Sequence, residues 1–297
     1  MLTLPAIGAL RTAYPQAQLE ILGYKHIVAL AQPFYADAIR SIEYGALAAF
    51  FGKGPELPRD LADYFRSFDL IVSYLFDPDR HFERNLRRCG VEEILRGPAK
   101  LTGAEHAAAQ LAEPLRELEL KLSGTAARIY PTRADGELAA AFVGTPGRRL
   151  IALHPGSGGE RKNWPLERWL ALSADVISRG TLLFVGGEAD QERLAAIHAR
   201  FADGDALFAE NLPLPQLAAV LEKVAVFVGH DSGISHIAAA VGSPCVLLFG
   251  PTDPAVWAPT NGNVRVICAP DGDLTKLGLS VVAEAVDQEL MRIGIST

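Results

Sequence analysis

Apolar residues follow two patterns along this chain, and their alternation carries the first architectural reading. In the second half, short unbroken apolar runs at 150–153, 181–185, 224–228 and 245–249 read as strands. Between them, 165–178, 189–201, 214–223 and 234–241 have the spacing of helices, and 281–293 reads as a terminal helix. Strands that are apolar throughout, alternating with helices, predict a parallel sheet covered on both faces, the doubly wound α/β arrangement. The first half is less regular. Leu4, Ile7, Leu10 and Tyr14 recur at helical spacing between Pro5 and Pro15, so 4–14 reads as a helix. A strand is expected at 19–22, either helix or short strand within 27–51, and a buried strand at 68–76. A polar loop at 77–81, a basic helix at 82–88 and an alanine- and leucine-rich helix at 104–122 follow. Residues 136–149 mix Gly, Pro and charge and read as a linker.

Length agrees with that division, since 297 residues suffice for two domains with separate cores. The expected division is 1–145 and 146–297, with the terminal helix free to pack back on the first domain. A composition of 49% hydrophobic and 21% charged residues is that of a soluble globular protein. The net charge of −7 speaks against a general nucleic-acid binder, because little would neutralise a run of phosphates. Cys89, Cys245 and Cys268 have neither zinc-site nor disulfide-framework spacing, so a reducing, cytoplasmic setting is expected. No apolar run approaches the ~18 residues of a membrane span. The apolar start has no basic flank and meets Arg11 early, so no secretory signal is expected.

Three segments carry candidate chemistry. His154-Pro-Gly-Ser-Gly-Gly-Glu-Arg-Lys-Asn-Trp-Pro165 runs from a strand into a glycine-rich turn and a helix opened by proline. Gly156, Gly158 and Gly159 let backbone amides approach an anion, Ser157 adds a hydroxyl, and Lys162 adds a mobile positive charge. A flexible connection with a surface lysine would give the same letters. In the second segment, Asp231, Ser232 and Gly233 open the helix 234–241, whose free amides and positive dipole end attract phosphate oxygens. His236 lies four residues after Ser232, on the same helix face, with a satisfied core histidine as the alternative. Asp231 could equally be a helix cap. The third segment, Val185-Gly-Gly-Glu-Ala-Asp-Gln-Glu192, puts Asp190, Glu188 and Glu192 after a strand, where acids hold ribose hydroxyls or start a solvated helix.

Taken together these residues resemble the heptosyltransferase family of GT-B glycosyltransferases. The matching pieces are Thr3 to Arg11 with Tyr14-Pro15, His154 to Ser157 with Lys162 to Pro165, Gly186-Gly187 with Asp190, Asp231 to Gly233 with His236, and Phe249 to Pro254. The resemblance implies two Rossmann-like domains facing a cleft, an acceptor side at 1–145 and a nucleotide-sugar side at 146–297. It implies an inverting, metal-independent transferase that moves the sugar of an ADP-heptose-like donor to a lipopolysaccharide-core or related glycan acceptor. No cofactor, no nucleic acid, and at most peripheral contact with the inner face of the inner membrane are then expected. By the same match Ser157, Gly158 and Lys162 would meet the diphosphate and Asp190 the ribose. Asp231, Ser232, Gly233 and His236 would shape the pyrophosphate and sugar site. The sequence departs from the family at its start, where a strand and a Gly-Asp loop, source of the expected general base, would precede Met1. Either the native reading frame is longer, or the base has been lost or relocated to Asp77 or Asp79, for which a turn role is the alternative. A nucleotide-sugar-binding protein without transfer activity, and an epimerase acting on the donor, remain open at this point.

Overall fold

The computed structural model describes residues 1–54, 56–144, 147–201 and 205–294. Two compact units emerge, Leu2–Thr125 and Ala126–Thr297, the second including Met1. The expected division at 145/146 lies outside the described residues. The segment after Thr125 is tied into the second unit by backbone and side-chain bonds. Ile129 N–H donates to Ala240 O, and Asn261 Nδ2 donates to Ala127 O.

The first unit runs α1 (Leu4–Ala13), β1 (Glu20–Gly23), α2 (Lys25–Val28), β2 (Ala38–Ser41), α3 (Arg59–Arg66), β3 (Leu70–Ser73), α4 (His81–Arg88), β4 (Glu93–Arg96) and α5 (Ala107–Leu111). Its strands form two separate parallel pairs, β1–β2 and β3–β4. One apolar cluster underlies both pairs. Phe50, Leu61, Phe65, Phe82 and Leu86 form its centre, with Leu22 of β1, Ile42 just after β2, and Ile71 and Ile94 from the second pair packed against it. The strand expected at 68–76 is four residues long. The long helix expected at 104–122 is instead α5 followed by a 3-10 segment, Glu113–Leu118. Pro114 accounts for the break, since a helix interior has no place for a residue without an N–H.

The second unit runs α6 (Arg133–Val143), β5 (Leu150–Leu153), α7 (Leu166–Val176), β6 (Thr181–Gly186), α8 (Gln191–His198), β7 (Ala206–Glu210), α9 (Leu214–Leu221), β8 (Val226–His230), α10 (Gly233–Ala240), β9 (Cys245–Phe249), α11 (Pro254–Trp257), β10 (Val264–Cys268) and α12 (Leu279–Gly294). Its six strands form one parallel sheet in the order β10-β9-β8-β5-β6-β7. Every residue of β5, β8 and β9 is buried, as expected for strands covered on both faces. The covering layers interdigitate around Ile151, Leu153, Trp164, Trp169, Phe184, Val228 and Val286. Residues 136–143 of the expected linker belong instead to α6, opened by a capping box in which Thr132 and Asp135 exchange side-chain to backbone bonds. It packs on α9, and α12 packs on α7, β8 and β9 within its own unit. Among the described residues no helix is long and apolar enough to cross a membrane.

Strand order decides where a site can form. From β5 the chain moves outward through β6 and β7, then returns to place β8 on the other side of β5. Crossovers leave the sheet in opposite directions there, which opens a crevice at the carboxyl ends of β5 and β8. His154 N–H donates to Val228 O at 2.8 Å, so the two loops leave the sheet side by side.

Candidate functional site

The loop after β5 carries the glycine-rich turn, and the loop after β8 leads directly into α10. Ser232 has extended backbone dihedrals and caps α10, its Oγ accepting the Ser235 N–H at 3.3 Å. The remaining first-turn amides of α10 point out of the helix with its positive dipole end. Gly233 is exposed there, and Asp231 and Ser232 are half-buried. Lys162 Nζ donates to Asp231 Oδ2 at 2.7 Å, joining the two loops. An ammonium has three donors, so this contact leaves two for an anion at the same edge. In the turn Ser157 is half-buried and its Oγ donates to Gly159 O at 2.9 Å, while Gly158 is exposed. His236 is buried on the first turn of α10. Two buried polar atoms in these loop segments have no hydrogen-bond partner, Asn163 Oδ1 in the turn and Thr252 Oγ1 after β9. Both fit a site built to take a polar ligand.

Asp190 has a different environment from the one its position in the sequence suggests. It is 6% exposed and turned inward. Its Oδ2 accepts the Gly187 N–H at 2.9 Å and lies 3.4 Å from His154 Nε2. Burial pushes its carboxyl up, but the bonds from His154 and Gly187, with the charges of His154 and Arg193, outweigh that and hold it below the usual carboxylate range. Arg193 is itself paired with Glu160 of the turn.

Two histidines complete the floor, and the sequence reading assigned a role to neither. His154 is 2% exposed, with Nδ1 3.3 Å from Ser232 Oγ. His230 is fully buried at the end of β8. Its Nε2 accepts the Trp164 N–H at 2.8 Å, so Nδ1 carries the hydrogen and donates to Gly156 O at 3.1 Å. Burial drives its pKa down to about 3, against the bond to Gly156, and it is neutral at any ordinary pH. The signal that could have found both is their position, one at each strand end of the switch point, bounded by apolar runs.

Asp77 and Asp79 belong to the first unit and are described there alone. Asp77 Oδ1 accepts the His81 N–H at 2.8 Å and Oδ2 accepts the Glu83 N–H at 3.0 Å, so both oxygens hold the first turn of α4. Asp79 is exposed, and its backbone oxygen accepts from Arg84.

Chemically, the second unit offers an anion cradle assembled from a glycine-rich turn, a lysine and a helix N-terminus, over a floor of two histidines and an aspartate. Residues 104–281 match the family model of glycosyltransferase family 9 (heptosyltransferase). A lipooligosaccharide heptosyltransferase 2 of Haemophilus ducreyi is 30% identical over 180 residues, covering 58% of this chain and 51% of the relative. The chain thus spans about half the length of the curated relatives it matches first. A glycosyl transferase family 9 structure from Veillonella parvula superposes with a TM-score of 0.78 at 19% identity, over 98% of this chain and 93% of that one. The ADP-heptose lps heptosyltransferase II of E. coli does so with 0.77 at 17% identity, over 99% and 95%. At these identities both show the fold, an α/β fold of the GT-B type. With a family model matched over more than half of its length, on a fold of that family, the chain belongs to glycosyltransferase family 9, the heptosyltransferases.

Proposed function

We propose that this chain transfers a heptose-like sugar from a nucleotide-diphosphate donor, ADP-heptose or a close relative, to a lipopolysaccharide-core or related glycan acceptor. One observation carries the reading. The glycine-rich turn, Lys162 and the capped N-terminus of α10 meet at the switch point of one sheet, joined by the 2.7 Å contact between Lys162 and Asp231. A pyrophosphate seated there would accept from Lys162 and from the first amides of α10, and from Ser157 once its hydroxyl turns away from Gly159 O. Those donors act on the charge that builds on the diphosphate as the sugar leaves. On this reading Lys162 and the helix end do the work that a metal ion does elsewhere, and the sugar's anomeric carbon inverts in one displacement. The work is done at the cytoplasmic face of the membrane that holds the acceptor, with at most peripheral contact.

Binding is the step to test first. Isothermal titration with ADP, UDP and GDP should select ADP, and Lys162→Ala should weaken it by roughly tenfold or more, as expected for losing a charge-assisted bond of about 1.5–3 kcal/mol. A Lys162→Ala protein that binds ADP as well as the wild type would remove the lysine from the site. A second reading, binding without transfer, is favoured by Asp77, whose oxygens are both committed to α4. Transfer of heptose from ADP-heptose to a lipid-core acceptor, with release of ADP, separates the two.

A further inference from the structure

At the opposite edge of the six-stranded sheet, the starts of β5, β8 and β9 are tied together. Ala225 N–H donates to Leu150 O at 2.8 Å, and Phe227 N–H donates to Pro244 O at 2.8 Å. Between these starts and the C-terminal end of α6 lies an open cavity of about 570 Å³. Its walls are apolar, formed by Ala140 and Val143 of α6, Leu150 of β5, Val224 and Ala225 before β8, and Pro244 before β9. Small-molecule sites run from about 300 to 1,000 Å³, so the volume is that of a ligand pocket. None of the donor-site residues lines it. β5 and β8 are four and five residues long and run from this cavity to the donor loops, so roughly 13–17 Å separates the two. The cavity and the anion cradle are different sites.

Its ionisable lining is of one sign. Among the described residues Arg148, Arg149 and Lys223 line it and no carboxylate does, in a chain whose net charge is −7. Leu150 and Val224 are buried whereas the three cations are exposed, so the charge lies at the mouth. Arg148 Nη2 donates to Ser178 O, and Arg149 Nη1 donates to Leu290 O at 2.9 Å. Each guanidinium is anchored by one carbonyl and has further N–H groups to give. The Lys223 ammonium has no partner among the described residues. A concave, low-dielectric surface lined by one sign of charge focuses its field and concentrates counter-ions. Apolar walls below a cationic mouth match a molecule with an aliphatic body and an anionic head. We propose that this cavity binds an aliphatic anion, a single hydrocarbon chain ending in a carboxylate or phosphate. The chain lies against α6 and the starts of β5 and β8, and the head meets Lys223 and the two arginines. A free fatty acid and a lipid of a bilayer present that same chemistry. The inference goes beyond the donor-binding reading and does not depend on it.

The test is titration calorimetry on the whole protein with decanoate, and with decyltrimethylammonium, which has the same chain and the opposite charge. Decanoate should bind at a single site, and octanoate, two methylenes shorter, about tenfold more weakly. Decyltrimethylammonium should bind more weakly than decanoate by at least about tenfold, having no charge-assisted bond to make. Lys223→Glu, at an exposed position, should weaken decanoate by about tenfold. Ala140→Leu keeps a good helix former and fills the cavity, and should weaken it by a similar factor. Both variants should bind ADP as the wild type does. Co-sedimentation with vesicles of phosphatidylglycerol or phosphatidylcholine identifies the source. Retention on the anionic vesicles alone, lost in Ala140→Leu, makes the ligand a bilayer lipid, whereas decanoate binding without retention makes it a free aliphatic anion. No binding of decanoate, equal binding of the two head charges, or affinity unchanged in both variants would each overturn the proposal. If neither variant folds, the comparison of head charges on the wild type decides. Because ADP is titrated on the same protein, loss of either ligand alone tells the failure of this site from the failure of the donor-binding reading.

Discussion

Gly156 is the third residue after β5, and the space where its side chain would stand is filled by the carboxyl group of Asp190. Its importance is therefore one of volume. A Cβ built on Gly156 would overlap the Asp190 carboxyl, and the obstacle is a short buried side chain held by Gly187 N–H and His154. Gly156→Ala should push that carboxylate off both partners and cost about 1–3 kcal/mol, the usual penalty for stranding a buried hydrogen-bonding group. The same substitution in an Asp190→Ala background should cost much less, because the obstacle is gone. A double-mutant cycle by urea unfolding measures this, and a coupling energy near zero would show that the two side chains do not compete for one space.

At the level of elements, Asp77 shows how a strand-end carboxylate can be a helix device. Both oxygens accept first-turn amides of α4, whose other end carries Arg87 and Arg88. Asp77→Ala should lower stability by roughly 1 kcal/mol, as losses of helix caps do, and Asp79→Ala, an exposed position, should change it little. Urea midpoints for the two variants check this. The sequence made some elements easy to read and hid others, for physical reasons. Strands buried on both faces, such as Leu-Ile-Ala-Leu in β5 and Cys-Val-Leu-Leu-Phe in β9, have only apolar letters to offer. β7 and β10 lie at the sheet edges and β4 in a two-stranded sheet, so their letters are mixed, Glu-Ile-Leu-Arg in β4 among them, and no strand was read there; at β2 helix and strand were left open. The Thr132 to Asp135 capping box was legible but lay beside Gly136, and the glycine weighed more than the cap. In the site, the loops were read from their glycines, Lys162 and Ser232. That Asp190 turns inward was not legible, because it depends on His154 lying opposite in space, 36 residues away in the chain.

For the molecule as a whole, the site's floor is also a source of acid sensitivity. His230 lies under Trp164 and against the ring of Trp169, 5.2 Å away, inside the main cluster of the second unit. An unfolded histidine binds a proton below about pH 6.5, whereas the folded one does so only near pH 3. The unfolded state thus holds more protons throughout that window, and stability rises with pH across it. The contribution is complete above pH 6.5 and is lost as pH falls toward 3. At about 1.4 kcal/mol per unit it amounts to something on the order of 5 kcal/mol by the lower limit. Asp190 adds a term of the same sign, but only below about pH 3.8, where its unfolded carboxyl protonates. Between pH 7 and 5, then, His230 should dominate the acid response of the second unit. All three tryptophans, Trp164, Trp169 and Trp257, lie in that unit, so their fluorescence follows its unfolding. Urea unfolding at pH 5, 6 and 7 should show wild-type stability falling with acid by close to one proton's worth of slope more than His230→Asn. The variant should start lower at pH 7, because the amide cannot replace both the Trp164 and Gly156 bonds, and its curve should be flatter. Parallel curves would mean that the second unit tolerates an imidazolium at this position, and with it a floor far more open to water than the packing of Trp164 and Trp169 allows.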